Sequence, residues 1–269
     1  MNILVPTDFS NPSHAAARYA TMLVKEMGAK ILLFHAAPRR DPLLERNDEF
    51  WISKANGGLK KLEADLIEQG VNPSDLRCKV VQRQPLWKAV EELAKEQGIS
   101  LVVMGTKGES NKPDIWVGKT AFEIMEQTSL PTIFVPERTS MGKPKAIVYA
   151  TDLRDAPGEA KMLMPLVRLF EAHLYVLNVE EPNTPSNINK SVLEWQLREE
   201  NRYNAISLHD VKGETVVQGI QKFCKVKKAD LVVMFRRRRG LFERILHRSL
   251  TKGVSYQTKI PLLIFKQGS

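Results

Sequence analysis

Leu101-Val-Val-Met-Gly-Thr-Lys-Gly108, continued after nine residues by Gly118-Lys-Thr120, runs an apolar strand into a glycine-spaced loop and then into a helix start. A helix N-terminus leaves amide N–H groups without intrahelical partners and therefore attracts anions. Glycine allows positive φ and lets the backbone come close to a bound group. Together these features are the physical recipe for a phosphate cradle, although three glycines after a strand, taken alone, read as plainly as a simple loop. A second copy of the strand, Asp230-Leu-Val-Val-Met234, continues instead into Phe235-Arg-Arg-Arg-Arg-Gly240. The chain thus carries one intact loop and one altered loop.

The segments before the intact loop alternate in period. Ile3-Leu-Val-Pro6 reads as a short buried strand, and Thr7-Asp8-Phe9-Ser10-Asn11-Pro12 as a loop that caps a helix, with Pro12 in its first turn. Helical apolar spacing from Ser13 to Met27 ends at Gly28, and Ile31-Leu-Leu-Phe-His35 is the next strand. A longer helical region from about Leu43 to Gln69 follows, then a strand around Cys78 to Val81 and a helix from about Pro85 to Gln97. After the strand Leu101 to Met104, a helix from Gly118 to Gln127 and the strand Thr132 to Val135 complete the half. This β-α alternation predicts a parallel sheet covered on both faces by helices, and the nearly all-apolar strands agree.

After a polar linker, Glu137 to Pro144, the pattern starts again. Ala146-Ile-Val-Tyr-Ala-Thr-Asp152 repeats the first strand with its Thr-Asp pair, and Leu174 to Val179 repeats the second. Leu231 to Met234 matches Leu101 to Met104, and Ile260-Pro-Leu-Leu-Ile-Phe265 matches Leu130-Pro-Thr-Ile-Phe-Val135. The offset between copies falls from 144 at the Asp8/Asp152 pair to 130 at the Leu101/Leu231 pair, so the second copy has lost about a dozen residues, expected from the long second helix. Two domains, 1–140 and 144–269, account for the 269 residues.

Composition narrows the function classes. With 43% hydrophobic and 26% charged residues the chain has a globular balance, and no apolar run approaches the roughly 20 residues that span a bilayer. Met1-Asn-Ile-Leu-Val-Pro6 shows no basic leader and no cleavage site, so no export and a cytoplasmic location are expected. Cys78 and Cys224 fit no ligand spacing and suit reduced thiols. The net charge of +9 lies mostly in the second half. That excess bears on association with anions but names no partner, and with no basic strand interleaving Trp51, Trp87, Trp116 and Trp195, nucleic acid is not the expected ligand. The tryptophans read as packing residues, Trp116 also as a lid over a ligand or a domain contact. The five histidines show no close spacing, so no metal site is expected.

Two better-known phosphate loops are excluded. A Walker A motif ending at Gly118-Lys-Thr120 needs glycine where Pro113 stands, and no dinucleotide G-x-G-x-x-G follows the first strand. Leu101-Val-Val-Met-Gly-x2-Gly-x9-Gly118, the Asp after the first strand and the ending Leu130-Pro-Thr-Ile-Phe-Val-Pro136 together resemble the universal stress protein family. The order and spacing recur in both halves, so the chain looks like a tandem, two-domain member.

That resemblance implies an α/β fold of two tandem doubly wound domains, each a five-stranded parallel sheet of order 3-2-1-4-5. It implies a stress-response or regulatory protein, not an enzyme, with ATP or a related nucleotide, alone or with Mg, in the N-terminal domain. By position, Gly105, Gly108 and Gly118 would line the phosphates through backbone amides. Asp8 would sit at the nucleoside end, and Ala36 would flank the adenine. The family usually has Ser or Thr after the third glycine; here it is Lys119, whose ammonium, with Thr120, would take over from the missing hydroxyl. The last strands of the two halves would pair edge to edge as an internal pseudo-dimer at high effective concentration, with further self-association left open.

In the second half Phe235, Arg238 and Arg248 replace the glycines, and Ser249 follows. Such side chains obstruct a backbone approach to phosphate, so nucleotide binding is not expected there. Arg236 to Arg239, with Arg244 and Arg248, read either as an anion patch or, more plainly, as a solvated basic loop. Asp8 with His35 reads as an acid–base pair or, more plainly, as a loop cap beside a half-buried histidine. Two alternatives remain: an interaction scaffold without nucleotide, and a slow ATP hydrolase for which Asp8 and Asp114 are the nearby acids.

Overall fold

Ile3, Leu4 and Val5 are completely buried, as a strand covered on both faces must be. They form the centre of β1 (Asn2–Pro6) in a computed structural model that describes residues 1–37, 48–81, 85–106, 118–180, 189–213, 215–237 and 259–266. The chain divides into two units, Met1–Met141 and Gly142–Ser269.

In the first unit β1 is followed by α1 (Asn11–Met27), β2 (Lys30–Ala36), α2 (Asp48–Glu68), β3 (Leu76–Val81), α3 (Leu86–Gln97), β4 (Ile99–Gly105), α4 (Lys119–Gln127) and β5 (Thr132–Val135). The strands pair in parallel in the order β3-β2-β1-β4-β5. Right-handed crossovers put α1 and α2 on one face and α3 and α4 on the other, and each pair packs together. Local chemistry sets the helix ends. Ser10 caps α1 by accepting from the Ser13 amide, Pro12 fits the first turn, and Gly28 closes the helix in the left-handed region at φ 59°. The helix therefore begins two residues earlier than its apolar spacing alone suggests.

The second unit repeats the plan with β6 (Ala146–Ala150), α5 (Ala156–Phe170), β7 (His173–Glu180), α6 (Lys190–Asn201), β8 (Ile206–Lys212), α7 (Val216–Lys227), β9 (Leu231–Arg236) and β10 (Leu262–Lys266). Its parallel order is β8-β7-β6-β9-β10. The residues lost in this copy come largely from the second helix, which has 21 residues in α2 and 12 in α6. The backbone after the first strand is repeated in detail. Phe9 and Leu153 both stand at φ 64°, and each donates its amide to a threonine hydroxyl, Thr7 or Thr151, at 3.0 Å. The Thr7 amide bonds the Phe34 carbonyl, and the Thr151 amide the Leu177 carbonyl, both at 2.9 Å.

Candidate functional site

A cavity of about 760 Å3 opens at the carboxyl ends of β1, β2 and β4, beside the point where the strand order reverses. Open α/β sheets bind ligands at such a crevice. Asp8, Ala36, Gly105, Gly118, Lys119 and Thr120 all line it, although 110 residues separate the first from the fifth of these in sequence; Gly108 lies outside the described residues. Thr7, Phe34, Met104 and Thr106 line it as well.

The loop after β1 sets the orientation of Asp8. Its Oδ1 accepts from the amide and the hydroxyl of Ser10, an Asx-type turn that fixes the carboxylate at the cavity wall. Among the described residues no group bonds Oδ2. His35 does not pair with Asp8. Its Nδ1–H donates to the Thr7 carbonyl at 2.8 Å, and its ring stacks on Phe9 with centroids 4.7 Å apart. The plainer reading of this pair, a loop cap beside a half-buried histidine, matches the geometry.

The glycines act differently from the simple cradle picture. Gly118 sits at φ −61° and ψ 158°, an extended conformation open to any residue, and its amide is already donated to the Thr106 carbonyl at 2.8 Å. The amides left without a partner among the described residues are those of Lys119, Thr120 and Ala121, the first turn of α4, whose N-cap supplies no side-chain bond. Gly105 also avoids positive φ. A Cβ there would stand 2.8 Å from the Pro12 carbonyl carbon and 2.9 Å from its oxygen, so Gly105 is required by the close approach of β4 to the start of α1. The Lys119 side chain is 90% exposed and lies 4.0 Å from Glu123, which also lines the cavity.

In the second unit the equivalent place is closed by its own side chains. Asp152, the counterpart of Asp8, accepts from Arg237 Nη2 at 2.9 Å, and Arg237 Nε lies 3.0 Å from Glu159 Oε1. Tyr149 donates to the other Glu159 oxygen and lies 3.0 Å from the Thr151 hydroxyl. The Glu159 side chain is 1% exposed, and burial holds its carboxyl above the ordinary carboxylate range; burial likewise pushes the Tyr149 hydroxyl up. Phe235, at the Gly105 position, is buried and stacks on Phe265 with centroids 5.1 Å apart. Arg237 is therefore neither part of an open anion patch nor of a solvated loop: its guanidinium is consumed by two carboxylates of its own unit. Arg238, Arg239, Arg244 and Arg248 lie outside the described residues. Nothing in the repeat marks Glu159 as Arg237's partner, because the two come from α5 and the end of β9. The sequence signal available was an acidic residue within an otherwise apolar helix face.

Trp195 is 65% exposed and does not serve the packing role expected of it, because it lies on the outer side of α6 while Leu193 and Leu197 face the core. Trp116 and Asp114 lie outside the described residues. Cys78 and Cys224 are unpaired thiols; Cys78 lies exposed on β3, whereas Cys224 is buried and burial pushes its thiol up to about 12. Among the described residues no group of three or more His, Cys, Asp or Glu side chains could hold a metal, and no helix is long and apolar enough to cross a membrane.

The fold and cavity define a doubly wound α/β domain, present twice, with a crevice at its carboxyl edge in the first copy. The chain belongs to the universal stress protein family: the family model matches residues 1–136 and again 144–266. A universal stress protein of Methanocaldococcus jannaschii is 23% identical over 157 residues, covering 51% of this chain and 96% of its own length. Among solved structures, a universal stress protein from Archaeoglobus fulgidus superposes with a TM-score of 0.74 at 17% identity, covering 100% of this chain and 97% of its own. A protein of unknown function from Pseudomonas aeruginosa gives a TM-score of 0.62 at 16% identity, covering 98% of this chain and 92% of its own. At such identities the structures establish the shared fold.

Proposed function

We propose that this chain is a stress-response or regulatory protein that binds ATP, or a related nucleotide, in its N-terminal unit and does no chemistry on it. The observation that carries this reading is the convergence of Asp8, Ala36, Gly105 and the first turn of α4 on one crevice of about 760 Å3. That volume lies within the range of small-molecule sites, roughly 300–1,000 Å3. The Lys119, Thr120 and Ala121 amides suit a phosphate, and Asp8 Oδ2, which no group among the described residues bonds, suits a ribose hydroxyl. The charged side chains on the described lining are Asp8, Lys119 and Glu123, two anions against one cation. A polyphosphate entering there gains from a divalent cation travelling with it, so Mg-ATP is the expected form. The C-terminal unit is a companion domain without a nucleotide of its own, since Arg237 already neutralises Asp152.

Thermal unfolding with and without Mg-ATP tests the reading, together with mass spectrometry of small molecules released on denaturation. Ligand at 100 times Kd adds about 2.7 kcal/mol to the bound unit. An unmoved Tm at saturating Mg-ATP, with no nucleotide released, overturns it.

One observation favours the scaffold reading. Gly105 has a packing reason to be glycine, its approach to Pro12, so its presence does not require a phosphate. A scaffold keeps its protein partners when Lys119 is replaced by Glu and shows no nucleotide to lose. Slow hydrolysis has less support: Asp8 Oδ1 is already engaged by Ser10, which leaves a single oxygen for a water.

A further inference from the structure

On one face of β7 and β8 two histidines share a single hydroxyl. His173 Nε2 lies 2.8 Å from Ser207 Oγ, and Ser207 Oγ lies 3.0 Å from His209 Nε2. The Tyr175 ring stacks on His173 at 4.2 Å between centroids and tilts against His209 at 5.7 Å. The last turns of α7 cover this group: Phe223 is 5.0 Å from His209, and the Lys227 ammonium sits 5.2 Å from the centre of the Tyr175 ring. The strand register places Lys30, Arg77 and Lys79 at the corresponding positions of the first unit, where Lys79 pairs with Glu96 of α3. The histidine cluster belongs to the second unit alone.

A serine hydroxyl has one proton to give. With both imidazoles neutral, one ring donates to Ser207 and the other accepts from it, so the bridge needs complementary tautomers. A further proton makes both ring nitrogens donors and leaves the Ser207 proton without its acceptor. The surrounding charges resist that proton too. The Lys227 ammonium on α7 acts on both rings, and the Arg198 guanidinium on α6 acts on His173. Two carboxylates act in the opposite sense, each more weakly than Lys227: Glu194 on α6, which also bonds Arg198 and the Leu208 amide, favours a proton on both rings, and Asp210 on β8, which also bonds Lys190 and Asn178, favours one on His209. The Tyr175 ring attracts an imidazolium but already faces Lys227.

We propose that His173, Ser207 and His209 form an acid-sensitive latch that holds the C-terminal turn of α7 on β7 and β8 at neutral pH and releases it when the imidazoles take up protons. Burial, reinforced by these cations, lowers both rings below the ordinary imidazole value. The sign follows. The folded state binds these protons less readily than the unfolded chain, so the latch is intact above the unfolded value of about 6.5, and its stability is lost as pH falls from there through the lower native values. Lys227 is the group through which the helix feels the change.

NMR titration of the imidazole Cε1–H signals in the full chain, with hydrogen exchange of the α7 amides at pH 7.5 and 5.5, reads the latch directly. Two rings titrating below about 6.5, with α7 protection falling as they do, are the expected result. The H173Q–H209Q double variant should lack the acid loss of α7 protection and of Tm, while H14Q and H35Q keep it. Titration of both rings at or above the ordinary value, or α7 protection equal at the two pH values, overturns the proposal. The wild-type titration decides even if the double variant fails to fold.

Discussion

Arg237 illustrates how one residue can close a site. It meets Asp152 and the 1%-exposed Glu159 from a position that is itself 20% exposed. Removing one partner of such a group strands the others, so R237A should cost about 2–4 kcal/mol, read as a lower denaturant midpoint with an unchanged slope. It should not confer nucleotide binding, because Phe235 still fills the Gly105 position. Lys119 offers the contrasting case. Its side chain is 90% exposed, so K119E should leave stability within about 0.5 kcal/mol and weaken Mg-ATP binding in a salt-dependent way, measurable by titration calorimetry. Gly105 was legible as a required glycine, but its physical reason was not. A sequence cannot show that Pro12, 93 positions away, comes within 3 Å of the missing Cβ. G105A should therefore lose about 1–3 kcal/mol of stability in the absence of any ligand.

Among the elements, the helices and strands were largely legible because their periods and breakers are local: Gly28 and Gly98, both at φ 59°, end α1 and α3 as their positions suggest. Less legible was α2, which carries Gly57 and Gly58 in its interior. A Cβ at Gly57 meets nothing within 4 Å, whereas one at Gly58 would stand 2.7 Å from the Phe9 ring. G57A should raise stability by about 0.5–1 kcal/mol through reduced chain entropy, and G58A should lower it by displacing Phe9 from its stack on His35. Thermal melts of the two single variants moving in opposite directions would check this. Phe9 itself stands in the left-handed region, a conformation held by packing that no residue pattern announces.

At the scale of the molecule, duplication followed by divergence predicts one nucleotide per chain. Calorimetry should return a stoichiometry near one, with the affinity lost in variants of the first unit and retained in R237A. A stoichiometry of two would contradict the closed second site. The repeat, the strand-helix order and the family are properties of linear pattern, and the sequence by itself determined them. It also singled out the residues that meet at the crevice, because the glycine spacing and the Thr-Asp pair each mark a strand end. What only the tertiary structure decided is how those residues spend their hydrogen bonds and space. The Gly118 amide goes to Thr106, the next three amides find no partner among the described residues, Gly105 yields to Pro12, and Arg237 finds Glu159. Each of these depends on atoms brought together from distant segments, and contact at that range is fixed by packing, not by the order of residues along the chain.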